Sequence, residues 1–232
     1  MPGAIVAGRW ELVERAGVGA TAEVWRAQSI ALPEGKESDR ETVAIKIAAD
    51  RSLLVREART MGALDRRWGP RAVDAGMIAE GGAYLATTWV EGRTLEVPAT
   101  PGKLEELAAI VAHGVGRALA ELHSAGVRHG DVKPSNIVVR DTRPRVDGAG
   151  DRGATLIDLG LVSSVGDAAR GGTARYASPE LREAPERAGP ESDLYALGLV
   201  IRELAGGAAA SEPARWADAL LAPAPGGRPS AA

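Results

Sequence analysis

The run His129-Gly130-Asp131-Val132-Lys133-Pro134-Ser135-Asn136, with Asp158-Leu159-Gly160 further along, decides how this chain is read. The first run gathers an Asp, a Lys and an Asn, and Pro134 among them constrains its own φ and the backbone of the residue before it. A carboxylate can orient a hydroxyl, an ammonium can meet developing negative charge, and an amide oxygen with a second carboxylate suits a hard cation. Ile137-Val138-Val139 and Thr155-Leu156-Ile157 read as two short strands on either side of a polar loop from Arg140 to Gly153. That arrangement brings Asn136 and Asp158 toward one metal position. The set is the one that phosphoryl transfer requires.

Upstream, Leu104, Leu107, Val111, Val115, Leu119 and Leu122 recur at three and four residues, which predicts a long amphipathic helix stopping at Ser124-Ala125-Gly126. It delivers the chain to His129. Downstream, Leu194, Leu197, Ile201 and Leu204 predict a second helix, with Ser192 as its N-cap. Between Leu204 and Arg228 only Trp216 to Leu221 reads as helical.

The N-terminal part is patterned differently. Trp10 to Arg15 and Glu23 to Ala27 read as alternating strands joined by the small-residue loop Ala16 to Ala22, whose backbone could approach an anion closely. Thr42 to Ala48 is a third β-rich run, with Lys46 among apolar neighbours. Leu54, Ala58, Met61 and Leu64 then carry helical spacing. Glu57 on that helix has a plain alternative reading as part of a solvated face, since Asp50 and Glu80 are other acids nearby. Tyr84 to Gly92 reads as a strand and its exit, and Thr94 to Lys103, with Pro98 and Pro101, as an irregular crossing.

Composition narrows the classes. The chain has 232 residues, 45% of them apolar and none of them Phe, so its core must rest on Leu, Val, Ile and Ala with a few Trp. A net charge of -3 provides no basic field for nucleic acid, and the absence of Cys excludes disulfides and thiolate metal sites. No segment approaches the about 18 apolar residues of a membrane span, and the first residues lack a signal peptide's apolar run. A soluble cytoplasmic protein is the expectation.

Taken together, the motifs resemble those of the eukaryotic-type (Hanks-type) serine/threonine protein kinases, with a bacterial member expected. The family's catalytic loop reads H-R-D-L-K-P-x-N and its metal motif D-F-G. Thr42 to Ala48 contains its V-A-I-K, while Gly17, Gly19, Ala22 and Val24 stand where it has G-x-G-x-x-G-x-V. Gly172 to Glu180 is close to its G-T-x-x-Y-x-x-P-E. The resemblance implies an α+β, two-lobed protein kinase-like fold: a small antiparallel β lobe with one helix over residues 1–92, and a larger, mainly helical lobe with a compact C-terminal part over 93–232.

It also implies roles. Asp131 would orient the substrate hydroxyl, Lys133 stabilise the transferred group, and Lys46, held by Glu57, contact the nucleotide phosphates. Thr173 would hydrogen-bond Asp131 and Lys133. Asn136 and Asp158 would hold Mg2+, or Mn2+ in its place. Gly17, Gly19, Ala22, Val24, Ala44, Thr87, Thr88, Val90 and Val138 would surround ATP, with the Thr88 C=O and the Val90 N–H facing the adenine edge. Asp193 would support the catalytic-loop backbone, and Arg228 would pair with Glu180. The reaction implied is transfer of the ATP γ-phosphoryl to a protein Ser or Thr.

The departures from the pattern carry expectations of their own. Ala22 gives up the φ freedom of the family's third glycine. Gly130 replaces an Arg that in many members holds a phosphate on the activation segment, and Leu159 replaces the Phe of D-F-G. The expectation is therefore a kinase without a phosphate switch, with Ser163 and Ser164 as plain solvated loop residues and Arg170 and Arg175 as the only cations there to receive a phosphate. The short stretch after Leu204 implies a reduced docking surface, for which a partner protein or a restricted substrate set compensates. Two other classes stay open. Aminoglycoside-type small-molecule phosphotransferases share H-G-D, although Lys133 and Gly172 to Glu180 speak against them. A nucleotide-binding pseudokinase scaffold would lack one of Lys46, Asp131, Asn136 or Asp158, and all four are present.

Overall fold

The computed structural model describes residues 1–19, 21–30, 40–63, 69–79, 81–95, 104–140, 153–161, 163–164, 172–205 and 211–231. The chain divides into two compact units, one comprising Met1–Arg66 with Pro70–Val90 and the other Arg67–Gly69 with Glu91–Ala232.

The first unit is built on strands β1 (Ile5–Val6), β2 (Trp10–Val18), β3 (Ala22–Ser29), β4 (Thr42–Ala48), β5 (Ala72–Met77) and β6 (Ala83–Thr88). They form one sheet in the order β1-β2-β3-β4-β6-β5, with every neighbouring pair antiparallel. Period-two alternation sets its inner face: Trp10 and Leu12 on β2, Trp25 and Ala27 on β3, and Val43 and Ile45 on β4 are buried together with Tyr84 and Ala86 of β6. Asp74 of β5 satisfies two aromatic donors at this core, accepting from Trp10 Nε1 at 2.9 Å and from the Tyr84 hydroxyl at 3.0 Å. Burial first, and then the bond to Asp74, pushes the Tyr84 hydroxyl above its usual range. Neither β1 nor β5 stands out in the sequence, because neither run is long or strongly alternating.

Helix α1 (Arg51–Ala63) starts where the Asp50 carboxylate accepts the Ser52 N–H at 2.8 Å, and it buries Leu54, Glu57 and Met61. The apolar periodicity predicted this helix, but Leu64 lies outside the described residues.

In the second unit, helix α2 (Leu104–Ser124) carries the expected stripe, with Val111, Val115, Leu119 and Leu122 buried. The unit's main sheet has three antiparallel strands, β7 (Arg93–Thr94), β9 (Ile137–Arg140) and β10 (Gly153–Leu156), in the order β10-β9-β7. Thr94 is thus part of a strand, not the start of an irregular crossing; residues 96–103 lie outside the described residues. Helix α2 lies so close to β10 that a Cβ on Gly114 would collide with the Ala154 carbonyl. Gly114→Ala is therefore expected to cost about 1–3 kcal/mol through overpacking, against a gain of under about 1 kcal/mol in helix propensity. Urea titration of the two proteins checks this, and equal midpoints would show that the two elements part without strain.

Helices α3 (Pro179–Glu183), α4 (Pro190–Ala205) and α5 (Glu212–Leu220) complete the unit, and strands β8 (Val127–Arg128) and β11 (Ser163–Ser164) pair antiparallel. Two expectations need correction here. Helix α4 begins at Pro190, so Ser192 lies inside it, and the Ser192 hydroxyl donates to Glu180 Oε1 at 2.8 Å instead of capping. The final helix is α5, longer than Trp216 to Leu221, with Ser211 as an N-cap that accepts from the Ala214 N–H. Among the described residues no helix is long and apolar enough to cross a membrane.

Candidate active site

In the first unit the hairpin of β2 and β3 runs further than expected. Gly17 pairs with Val24 and Val18 with Glu23, and the Gly19 N–H donates to the Ala22 carbonyl at 2.8 Å. Ala16, Gly17, Val18 and Ala22, which the sequence reads as loop, are strand residues. Among the described residues only Ala7 and Asp158 combine a side chain with positive φ, so Ala22 needs none of the freedom it lacks. A Cβ on Gly17 would meet no atom within 4 Å. Val24 lies opposite Lys46 across the β3–β4 register, and Ala44 lies opposite Thr87 across β4–β6.

Lys46 and Glu57 form an ion pair, with Nζ 2.9 Å from Oε2 and side chains only 16% and 4% exposed. Glu57 is therefore not on a solvated helix face. Of its competitors, Asp50 caps α1 and Glu80 lies outside the described residues. Thr87 is buried near the end of β6. The Thr88 N–H donates to the Arg71 carbonyl at 2.9 Å, and Val90 is the last residue of the unit.

The second unit holds the run from His129 to Asn136. Asp131 Oδ1 accepts the Thr173 N–H and the Thr173 hydroxyl, each at 2.9 Å. Its Oδ2 faces Lys133 Nζ at 2.8 Å and accepts from Asn136 Nδ2 at 3.2 Å. Lys133 Nζ also donates to Thr173 Oγ1 at 3.2 Å, closing a ring of Asp, Lys and Thr. A carboxylate offers about four acceptor directions, and here four donors meet it.

Asn136 Nδ2 also donates to the Asp131 carbonyl at 2.9 Å. With two oxygens facing Nδ2, the amide orientation follows, and its Oδ1 takes the other side of the amide. The Asn136 carbonyl accepts the Ile157 N–H at 2.8 Å, which ties the loop to the chain just before Asp158. Asp158 has φ of +67°, a strained backbone for a residue with a side chain, and its Oδ1 accepts the Gly160 N–H at 3.0 Å. Leu159 is buried, as an apolar replacement for Phe should be. Val138, on β9 between Thr94 and Thr155, is also buried.

Asp193 organises this loop from α4. Its Oδ2 accepts the His129 N–H at 2.8 Å and lies 2.9 Å from His123 Nε2, and its Oδ1 accepts the Gly130 N–H at 2.9 Å. Gly130 has φ of +81°, and a Cβ there would come 2.9 Å from the Leu161 carbonyl, so glycine suits the turn for backbone reasons alone. His129 is fully buried; its Nδ1 accepts the Asp131 N–H at 3.2 Å and its Nε2 faces the Ile157 carbonyl at 3.3 Å, which calls for the neutral Nε2–H tautomer.

A family model described as the protein kinase domain matches residues 11–215. The chain belongs to the protein kinase family. The antiparallel sheet with its one helix and the mainly helical second unit are the two lobes of that α+β fold. Three bacterial proteins are among its curated relatives. A probable serine/threonine-protein kinase, PknB of Corynebacterium glutamicum, is 32% identical over 219 residues, covering 88% of this chain and 32% of the relative. The DNA damage-responsive serine/threonine-protein kinase RqkA of Deinococcus radiodurans is 32% identical over 226 residues, covering 89% and 31%. The serine/threonine-protein kinase PknL of Mycobacterium tuberculosis is 32% identical over 218 residues, covering 87% and 50%. The chain thus spans about a third of the first two relatives and half of the third.

One correction concerns the segment between Asp158 and Glu180. Ser163 is no solvated loop residue: it is 4% exposed, paired in β11, and its Oγ accepts from Arg128 Nε at 2.7 Å. Arg175 lies 2.7 Å from Glu203, and Arg170 lies outside the described residues. The expected partner of Glu180 is in place, since Arg228 donates to its two oxygens at 2.6 and 3.0 Å. Arg128 and His123 gave no signal in the sequence, a single Arg or His being uninformative until its neighbours are known.

Proposed function

We propose that this chain is an ATP-dependent serine/threonine protein kinase that moves the γ-phosphoryl group to a protein hydroxyl. The observation that carries the reading is Thr173 bridging Asp131 and Lys133, an arrangement that holds an acceptor carboxylate and a cation side by side. Asp131 orients the Ser or Thr hydroxyl and accepts its proton. All four acceptor directions of its carboxylate are occupied, so the incoming hydroxyl must displace one donor. Lys133 is the one on a flexible stem, and it moves onto the migrating phosphoryl charge, where its ammonium is needed.

Lys46, kept extended by Glu57, binds the nucleotide phosphates. Gly17, Gly19, Ala22 and Val24 cover them, with Ala44, Thr87, Thr88, Val90 and Val138 around the adenine. Asn136 Oδ1 and the Asp158 carboxylate supply oxygen ligands for Mg2+, with Mn2+ able to take its place. Held there, a divalent metal would supply positive charge to offset that of the phosphate oxygens. Protein is the substrate class, with a partner protein aiding docking, because the stretch between Leu204 and Arg228 is short. We place the reaction in the cytoplasm, where Mg-ATP is available.

Incubation of purified chain with γ-labelled ATP and a mixed protein substrate tests this reading: label on Ser and Thr is expected. Label only on small molecules, or none, would overturn it.

A metal site with one carboxylate and one amide from the protein must borrow phosphate oxygens. Mg2+ and ATP are accordingly expected to bind together, each tightening the other by about 5- to 150-fold. Calorimetry showing tight Mg2+ binding without nucleotide would contradict that expectation.

A further inference from the structure

Arg128 is a guanidinium 1% exposed, in a run where its neighbours Val127, His129 and Val132 have no use for a charge. Its Nε donates to Ser163 Oγ at 2.7 Å and its Nη1 donates to the Ala188 carbonyl. Ser163 and Ala188 stand at opposite ends of the segment that carries Thr173, and both are buried. Strand pairing adds to the first attachment, since Ser163 lies opposite Arg128 and Ser164 opposite Val127. Between these ends, Thr173 is bound to Asp131, and a Cβ on Gly172 would come 2.9 Å from the Gly130 carbonyl. Ser163 and Ala188 are thus held by Arg128, and Thr173 by Asp131, three residues further along.

In a phosphate switch, added charge orders such a segment by pairing with Arg. Here Arg128 donates to two neutral oxygens, one of them a backbone carbonyl. The planar fork of Arg can address two acceptors in different directions at once, whereas a Lys ammonium is a point charge on a flexible stem.

We propose that Arg128 is a positioning residue: it clasps Ser163 and Ala188, and so holds Thr173 in register with Asp131 without any phosphate on the segment. This rests on the kinase reading above, and the test separates the two. The whole chain is prepared as wild type, Ser163→Ala, Arg128→Lys and Arg128→Met, and wild type also after phosphatase treatment. Hydrogen exchange of peptides within 172–190 reads the clasp, ATP calorimetry reads nucleotide binding, and kcat and KM read the reaction.

A buried Nε left without its acceptor is expected to raise exchange in 172–190 and lower kcat by about 10-fold or more, with KM for ATP and ATP affinity unchanged. Arg128→Met should do the same, Arg128→Lys should recover part of the loss, and phosphatase should change nothing. Wild-type exchange and kcat in Ser163→Ala would overturn the proposal, as would loss of protection on phosphatase treatment. A purely structural role would lower the melting temperature and leave the exchange of 172–190 and the kcat of the folded protein untouched. Should Arg128→Met fail to fold, Ser163→Ala, which removes one oxygen, decides alone. Should wild type lack phosphotransfer, the kinase reading fails, while the exchange data still decide whether the clasp exists.

Discussion

Asp131→Asn is expected to lower kcat by about 10²- to 10⁴-fold, the usual contribution of a positioned general base. The substitution keeps the volume but replaces one acceptor oxygen by an NH2 group. Both Asp131 oxygens face donors, Thr173 on one side and Lys133 with Asn136 on the other, so one side of the new amide must set donor against donor. The Thr173 bridge should loosen, and the substrate hydroxyl loses its proton acceptor. ATP affinity should hold, because Asp131 has no part in the Lys46–Glu57 pair that binds phosphates in this reading. Single-turnover kinetics with calorimetry on the same preparation checks both halves. Near-normal turnover would remove Asp131 from the role assigned to it.

The largest expected effect on stability lies at Glu180 and Arg228. The Arg228 side chain is fully buried, and besides Glu180 it donates to the carbonyls of Ala222, Glu191 and Pro223. It joins the last described stretch of the chain to α3 and α4. Removing one partner of a buried pair leaves an uncompensated charge, so Glu180→Gln or Arg228→Met should destabilise the protein by about 3–5 kcal/mol.

The pH dependence follows from the same contact. Burial by itself pushes the Glu180 carboxyl up, but hydrogen bonds from Arg228, from backbone and from Ser178 and Ser192 outweigh it and hold the group at about 2, against an ordinary value of 4.5. A carboxyl whose folded value is depressed stabilises the fold above its unfolded value. That stabilisation, on the order of 3 kcal/mol, is lost as pH falls from about 4.5 toward about 2. Urea unfolding from pH 7 down to pH 3 should therefore show wild type losing its advantage over Glu180→Gln. Parallel curves across that range would mean that the pair contributes no such linkage.

Several parts of this protein could be read locally. The stripe of α2 buries against the core because residues three and four apart share a helix face. Val43 and Ile45 turn to one face of the sheet and Lys46 to the other because a strand alternates. Asp131, Lys133 and Asn136 could be recognised together because they are close in sequence and chemically unlike the residues around them. The pairing of Lys46 with Glu57 was implied by the family resemblance alone, and the burial of both side chains decided it against a solvated helix face.

Other features depended on partners far along the chain. Ser163 reads as a solvated loop residue until Arg128 is found against it. Ser192 reads as a helix cap until Glu180 takes its hydroxyl. Asp74 says nothing on its own, and only folding brings Trp10 and Tyr84 to its carboxylate. The need for glycine at 114 comes from the Ala154 carbonyl, and the left-handed backbone of Asp158 follows a strand that is itself fixed by pairing with β9. Sequence determined the period of each element and the chemical identity of the candidate site. The tertiary structure decided which buried polar groups find partners, because a hydrogen bond is satisfied by proximity in space and a linear pattern carries no record of it.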